Sequence, residues 1–158
     1  MRRAGGLFER VIDRDTLRAA FARAARGKRS RPCVRDFAAR LDERCAEIAR
    51  GVAAGSFPLG RFRQFVVHDP KRLVITAPEF SERVLHHAIM LVCEPFFERW
   101  LVADTFACRP SKGREAAVRR AARFSRGHQW CLHLDVRKCF DSIAHDILLG
   151  QIDVEHER

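Results

Sequence analysis

An α+β fold is predicted for this chain by helical and strand-like segments that do not alternate. Apolar residues recur at helical spacing over most of its length. Two β-type runs flank one polar turn near the middle, and a further alternating run lies near the C-terminus. The order helix, helix, hairpin, helix, helix, strand, helix is that of an α+β fold. With 158 residues, 47% of them apolar, the chain is about one domain long and can bury one ordinary core.

The elements follow in order. Residues 7–26 carry Leu7, Phe8, Val11, Ile12, Leu17, Phe21 and Ala25 among arginines, which predicts a helix. The basic stretch "RGKRSRP" (26–32) breaks it with glycine, serine and proline. Helical spacing resumes over 34–54 through Phe37, Leu41, Cys45 and Ile48, and "AGSFPLG" (54–60) is a turn. In "RFRQFVVHDPKRLVITAP" (61–78), Phe62, Phe65 and Val67 precede "HDPKR" and Leu73, Val74 and Ile75 follow it, which predicts a hairpin.

Val84, Leu85, Ala88, Leu91, Val92 and Phe96 predict a buried amphipathic helix from Glu79 to about Leu101. It should be interrupted near Pro95, which lacks an amide hydrogen. "ADTFACRPSKG" (103–113) is irregular, residues 114–125 predict a short basic helix, and Gly127 breaks it. Trp130–Asp135 predict a strand, and Asp141 or Ser142 can cap a last helix from about Ile143.

Thirty lysines and arginines stand against 20 acids, a formal charge of +10, and residues 1–35 alone carry +8. Such a basic segment suits a polyanionic partner, most often nucleic acid. The six cysteines lie singly, with no CxxC and no Cys/His set at zinc spacing. His86 and His87 are adjacent, so on a helix they point about 100° apart and make a poor ligand pair. No apolar signal core is seen, and no run approaches the roughly 20 residues of a membrane span. Reduced thiols in a cytoplasmic setting, with no membrane partner, are the expectation.

In the terminal strand, period 2 places Cys131, His133 and Asp135 on one face and Leu132 and Leu134 on the other. On spacing alone, a lone aspartate ending a strand is more often structural. A carboxylate beside a free carbonyl also suits Mg²⁺, which takes a few hard oxygens and fills its remaining positions with water or phosphate.

The block "DVRKCFDSIAHD" (135–146) resembles the first conserved palm motif of reverse transcriptases, especially those of bacterial retroelements. Upstream, "PKRLVITAPEFSERVLHHAIMLVCEPFFERWLVADTFACRPSKGREAAVRRA" (70–121) is similar to their fingers region in order and spacing. The run "DTFACRPSKGREAAVRRA" resembles diversity-generating retroelement enzymes, with group II intron and retron enzymes as near relatives. Charge and helical spacing make residues 1–55 a basic helical region, and the resemblance, which covers about 56–152, implies fingers over 56–128 and the start of a palm over 129–158.

It also implies roles. Asp135 would be the first catalytic, metal-binding aspartate, with the Val136 carbonyl as a second ligand of Mg²⁺. Amides near Lys138 and Cys139 would face the triphosphate of a dNTP. Phe140 would be a steric gate against a ribose 2′-hydroxyl, unless it is plain core packing. Lys71 and Arg72 would touch triphosphate oxygens, or else form a solvated turn. Arg109, Lys112 and Gly113 resemble the family's R-P-x-x-G loop near template and nucleotide. Arg114, Arg119, Arg120, Arg123 and Arg126 suit phosphate contact or a solvated face. Arg83, His86 and His87 are expected in packing and template contact, and Asp141 is expected to cap a helix rather than hold metal.

The implied activity is RNA-directed DNA synthesis on an RNA template and primer or an RNA–DNA hybrid. The family's pattern also needs a later aspartate pair, a further palm motif and a thumb, and no two aspartates are adjacent in these 158 residues. Two-metal chemistry needs several carboxylates. The expectation is therefore a catalytically incomplete chain, inactive alone: truncated, broken, or half of a split enzyme completed by palm and thumb in trans. The alternatives are a non-catalytic nucleic-acid-binding module and a poorly folding remnant.

Overall fold

The computed structural model describes residues 5–68 and 70–157, without the side chains of Asp141 and 152–157. Two compact units divide it, Gly5–Arg99 and the remainder from Trp100.

Asp13 caps the start of a second helix, just after Ile12 closes the first. Its carboxylate accepts from the Asp15 and Thr16 amides, both at 3.0 Å, which satisfies donors that no first turn can pair internally. The single helix expected over 7–26 is therefore two, α1 (Leu7–Val11) and α2 (Arg14–Ala25). The one expected over 34–54 also divides. Pro32 opens α3 (Pro32–Ala39), where a missing amide hydrogen is harmless. Arg40, at φ −126° and ψ 39°, leaves helical geometry before α4 (Leu41–Ala53).

Gly60, at φ +78°, turns the chain into the hairpin, a left-handed conformation that suits a residue without Cβ. Strands β1 (Phe62–His68) and β2 (Arg72–Pro78) pair antiparallel from Phe62 opposite Pro78 to His68 opposite Arg72, as expected. Helix α5 (Phe80–Trp100) runs through Pro95 without ending, which corrects the expected interruption. Proline removes only the hydrogen bond to the Leu91 carbonyl. The turns before it are held by the buried Val84, Leu85, Ala88 and Val92.

The core of the Gly5–Arg99 unit gathers Leu17, Ala20, Phe37, Ile48, Val84 and Ala88 from α2 to α5. Leu17 and Val84 are completely buried; burying such side chains is worth about 1.5–3 kcal/mol each. Phe21 and Phe37 stack at 5.4 Å between ring centres, and Phe80 meets both edge-on. At the surface, Asp42 of α4 holds Arg14 at 2.9 Å and Arg18 at 2.6 Å on α2.

The unit from Trp100 contains α6 (Arg114–Ser125), a 3₁₀ turn at Phe140–Ser142 and α7 (His145–Glu157). None of its described residues over 100–151 is buried. Residues 130–135 form no strand, which corrects the expectation: a strand exists through its neighbours, and β1 and β2 pair only with each other. Trp130, Leu132 and Leu134 are 90%, 82% and 79% exposed. Helix α7 begins at His145, not at Ile143, because Ser142 does not cap it; its hydroxyl donates to the Cys139 carbonyl at 3.0 Å. The Asp141 side chain lies outside the described residues. Helices plus one antiparallel hairpin make the described fold α+β, and no described helix is long and apolar enough to cross a membrane.

Candidate nucleic-acid interface

The loop between α5 and α6 is built by its own cations. The Arg109 guanidinium Nη1 donates to the Val102 carbonyl at 2.8 Å, the Thr105 carbonyl at 3.3 Å and the Thr105 hydroxyl at 2.6 Å. Lys112 Nζ donates to the carbonyls of Ala103 and Thr105 and lies 5.3 Å from the Phe106 ring centre. Cys108, Ser111 and Gly113 take φ of +56°, +59° and +106°, so the chain reverses repeatedly around these charges. Asp104 anchors the loop to α6, meeting Arg120 Nε at 2.7 Å and Nη2 at 3.0 Å. Those hydrogen bonds hold its carboxyl below the usual aspartate range. The Arg120 guanidinium also covers the Phe124 ring at 4.4 Å.

On α6, Arg120 is thus committed, and Arg119 reaches Glu115 at 3.7 Å across a highly exposed gap. Arg114, Arg123 and Arg126 make no ion pair among the described residues. These three and Arg119 are exposed to solvent.

The segment bearing Asp135 is exposed throughout. Val136 is 65% and Phe140 88% exposed, so packing in this chain does not account for Phe140. Lys138 has φ +50°, a conformation rare for a residue with Cβ, and such outliers concentrate at functional sites. The backbone then tightens, as the Ser142 amide donates to the Lys138 carbonyl at 3.0 Å. The Asp135 carboxylate does not by itself make a Mg²⁺ site. Among the described residues no three His, Cys, Asp or Glu side chains gather where they could hold an ion.

Lys71 and Arg72 lie at the hairpin turn, exposed and without an ion pair among the described residues; the neighbouring Asp69 lies outside them. At the hairpin base is a cleft of about 580 Å³ between α3, α4, β1 and the start of α5. Lys28, Arg31, Arg63 and Arg83 line it with Phe57 and Phe65. Nearby, burial, followed by the charges of Arg23, Lys28 and Arg83, pushes the His87 ring below the usual histidine range. No local pattern in the sequence marks this cleft, since its residues are up to 55 positions apart (28 to 83).

The sequences similar to this chain are intron-encoded proteins and intron maturases, in keeping with the reverse-transcriptase-like family its motifs resemble. The group II intron-encoded protein LtrA of Lactococcus lactis subsp. cremoris is 22% identical over 117 residues, covering 72% of this chain and 20% of that protein. The nuclear intron maturase 1, mitochondrial, of Arabidopsis thaliana is 26% identical over 73 residues, 46% of this chain and 10% of that protein. The putative COX1/OXI3 intron 1 protein of Saccharomyces cerevisiae is 19% identical over 95 residues, 60% of this chain and 10% of that protein. The chain thus spans a fifth or less of the length of these relatives. No family model matches it.

Proposed function

We propose that this chain is the fingers and first palm element of an RNA-directed DNA polymerase, joined to a basic helical region that engages RNA. The observation that carries the reading is the Asp135 block within a chain similar over 117 residues to an intron-encoded protein. The reaction served would be attack of a primer 3′-hydroxyl on the α-phosphate of a dNTP, with release of pyrophosphate. The exposed Lys71 and Arg72 suit triphosphate oxygens, where fixed cations offset developing charge. The exposed ring of Phe140 suits a sugar gate, and the strained backbone at Lys138 suits a phosphate contact. Mg²⁺ would require carboxylates besides Asp135.

A second reading, a non-catalytic RNA-binding module, is favoured by one relative being named a maturase. Primer extension on an RNA template separates the two. The purified chain alone should extend nothing. A palm-and-thumb segment of an intron-encoded relative added in trans should restore extension, and Asp135→Ala should abolish it. Restored extension that survives Asp135→Ala would overturn the catalytic assignment; RNA binding without any restoration would favour the second reading.

A further inference from the structure

We propose that Glu82 is a positioning residue: through the Gly60 amide it sets the angle at which the hairpin leaves α5, and so the place reached by Lys71 and Arg72 at the tip. That those two cations serve a triphosphate rests on the reading above; the hold of Glu82 on the hairpin does not.

An acid at position 82 is unexplained by packing. Its side chain is only 5% exposed, and its neighbours Val84 and Leu85 on α5 are buried core residues. Oε1 accepts from the Gly60 amide at 3.3 Å. Oε2 is buried and has no hydrogen-bond partner among the described residues. The His86 imidazole lies 3.7 Å from Oε1, beyond hydrogen-bond distance, with its side chain half in solvent. Burying a carboxyl with one oxygen unsatisfied is costly, and an alanine or leucine would pack here without that cost. What the acid adds is the bond to Gly60.

That bond lies where the hairpin can swing. Gly60 takes φ +78°, β1 is exposed along its whole length, and β2 is exposed as far as Thr76. The strands are therefore held by each other and by their base. There the Glu79 amide donates to the Arg61 carbonyl at 3.1 Å, which fixes one point but leaves rotation about it. Glu82 supplies a second point on the β1 side, and Arg83 Nη2 steadies the far end of β2 through the Pro78 carbonyl at 3.4 Å. The seven residues of β1 make a lever about 20 Å long at about 3.3 Å each. A rotation of about 10° at its base would carry the tip about 3–4 Å. Misplacing a reacting group by even about 1 Å can cost about 100-fold in rate, so an acid remote from Lys71 and Arg72 can govern what they reach.

The test is NMR of the full chain. In the parent, residual dipolar couplings of the β1 and β2 amides should share one alignment with those of α5. Glu82→Ala should abolish that shared alignment and leave the couplings within α2 to α5 as they are. Glu82→Gln keeps the Oε1 acceptor and should behave as the parent does. A hairpin already loose in the parent, one that stays aligned in Glu82→Ala, or one that comes loose equally in Glu82→Gln would overturn the proposal. Amide exchange in the parent depends on no variant. The Gly60 amide should exchange about 10- to 100-fold more slowly than that of the exposed Leu59, because hydrogen bonds to charged acceptors are strong. Equal rates at the two would also overturn it. No nucleotide takes part in these measurements, so the primer-extension test above can fail while the hold of Glu82 stands, and the reverse.

Discussion

Arg109 turns its guanidinium back onto Thr105, 2.6 Å from the hydroxyl and 3.3 Å from the carbonyl. In the loop that resembles the family's R-P-x-x-G element, Arg109 and Lys112 thus organise their own backbone. Any phosphate contact there would compete with carbonyl acceptors already in place.

Thr105→Val removes the hydroxyl that donates to the Val102 carbonyl at 2.9 Å and accepts from Arg109. Each such bond is worth about 1 kcal/mol, so losing both should raise the open population of the loop about thirtyfold. Tryptic cleavage after Lys112 should accelerate accordingly. An unchanged cleavage rate would mean that the Arg109 strut is dispensable.

Leu17→Ala should cost about 2–5 kcal/mol in chemical denaturation, because Leu17 is completely buried in the core of the Gly5–Arg99 unit. Leu59→Ala, at a side chain 64% exposed, should stay within about 0.5 kcal/mol. Equal effects would place the core elsewhere.

Hydrogen bonds from Arg18 and then Arg14 hold the Asp42 carboxyl below its ordinary value of 3.8. A carboxyl with a depressed folded pKa stabilises the fold above the unfolded value and loses that contribution as pH falls through the folded one. Asp42→Asn should therefore lower Tm at neutral pH, with the gap to the parent closing below about pH 3.8. A gap that persists unchanged in acid would show that the charge plays no part.

Leu132 and Leu134 stand exposed on a segment that pairs with no strand among the described residues, a surface that favours association. Replacing both with serine should shift sedimentation toward the monomer at high protein concentration. The same distribution for parent and variant would argue against this segment as the contact.

In a complemented, active assembly, Phe140→Ala should raise ribonucleotide incorporation by about 10- to 100-fold, the discrimination available from steric exclusion of a small group. An unaltered preference between dNTP and rNTP would remove Phe140 from the sugar site.

Much of the fold was legible because it depends on local pattern. The β-type runs about "HDPKR" announced β1 and β2, and residues 114–125 announced α6 to the residue. The missed boundaries at Asp13 and Arg40 depend on single-residue capping and backbone geometry, which periodicity does not register. The candidate site was legible only as separate motifs, since Thr105, Arg109 and Lys112 carry no pattern that foretells their shared carbonyls.

The amino-acid sequence by itself determined the helical stretches, the hairpin, the basic N-terminus and the motif blocks, because hydrophobic spacing, turn chemistry and charge are properties of neighbouring residues. Only tertiary structure decided which cations are spent and which remain open. Arg44 neutralises Asp36 and Glu47 and Arg120 neutralises Asp104, while Lys28, Arg31 and Arg63 converge on a cleft without such partners among the described residues. It also decided that Trp130–Asp135 form no strand, because a strand is completed by hydrogen bonds from another segment, which no property of its own residues can supply.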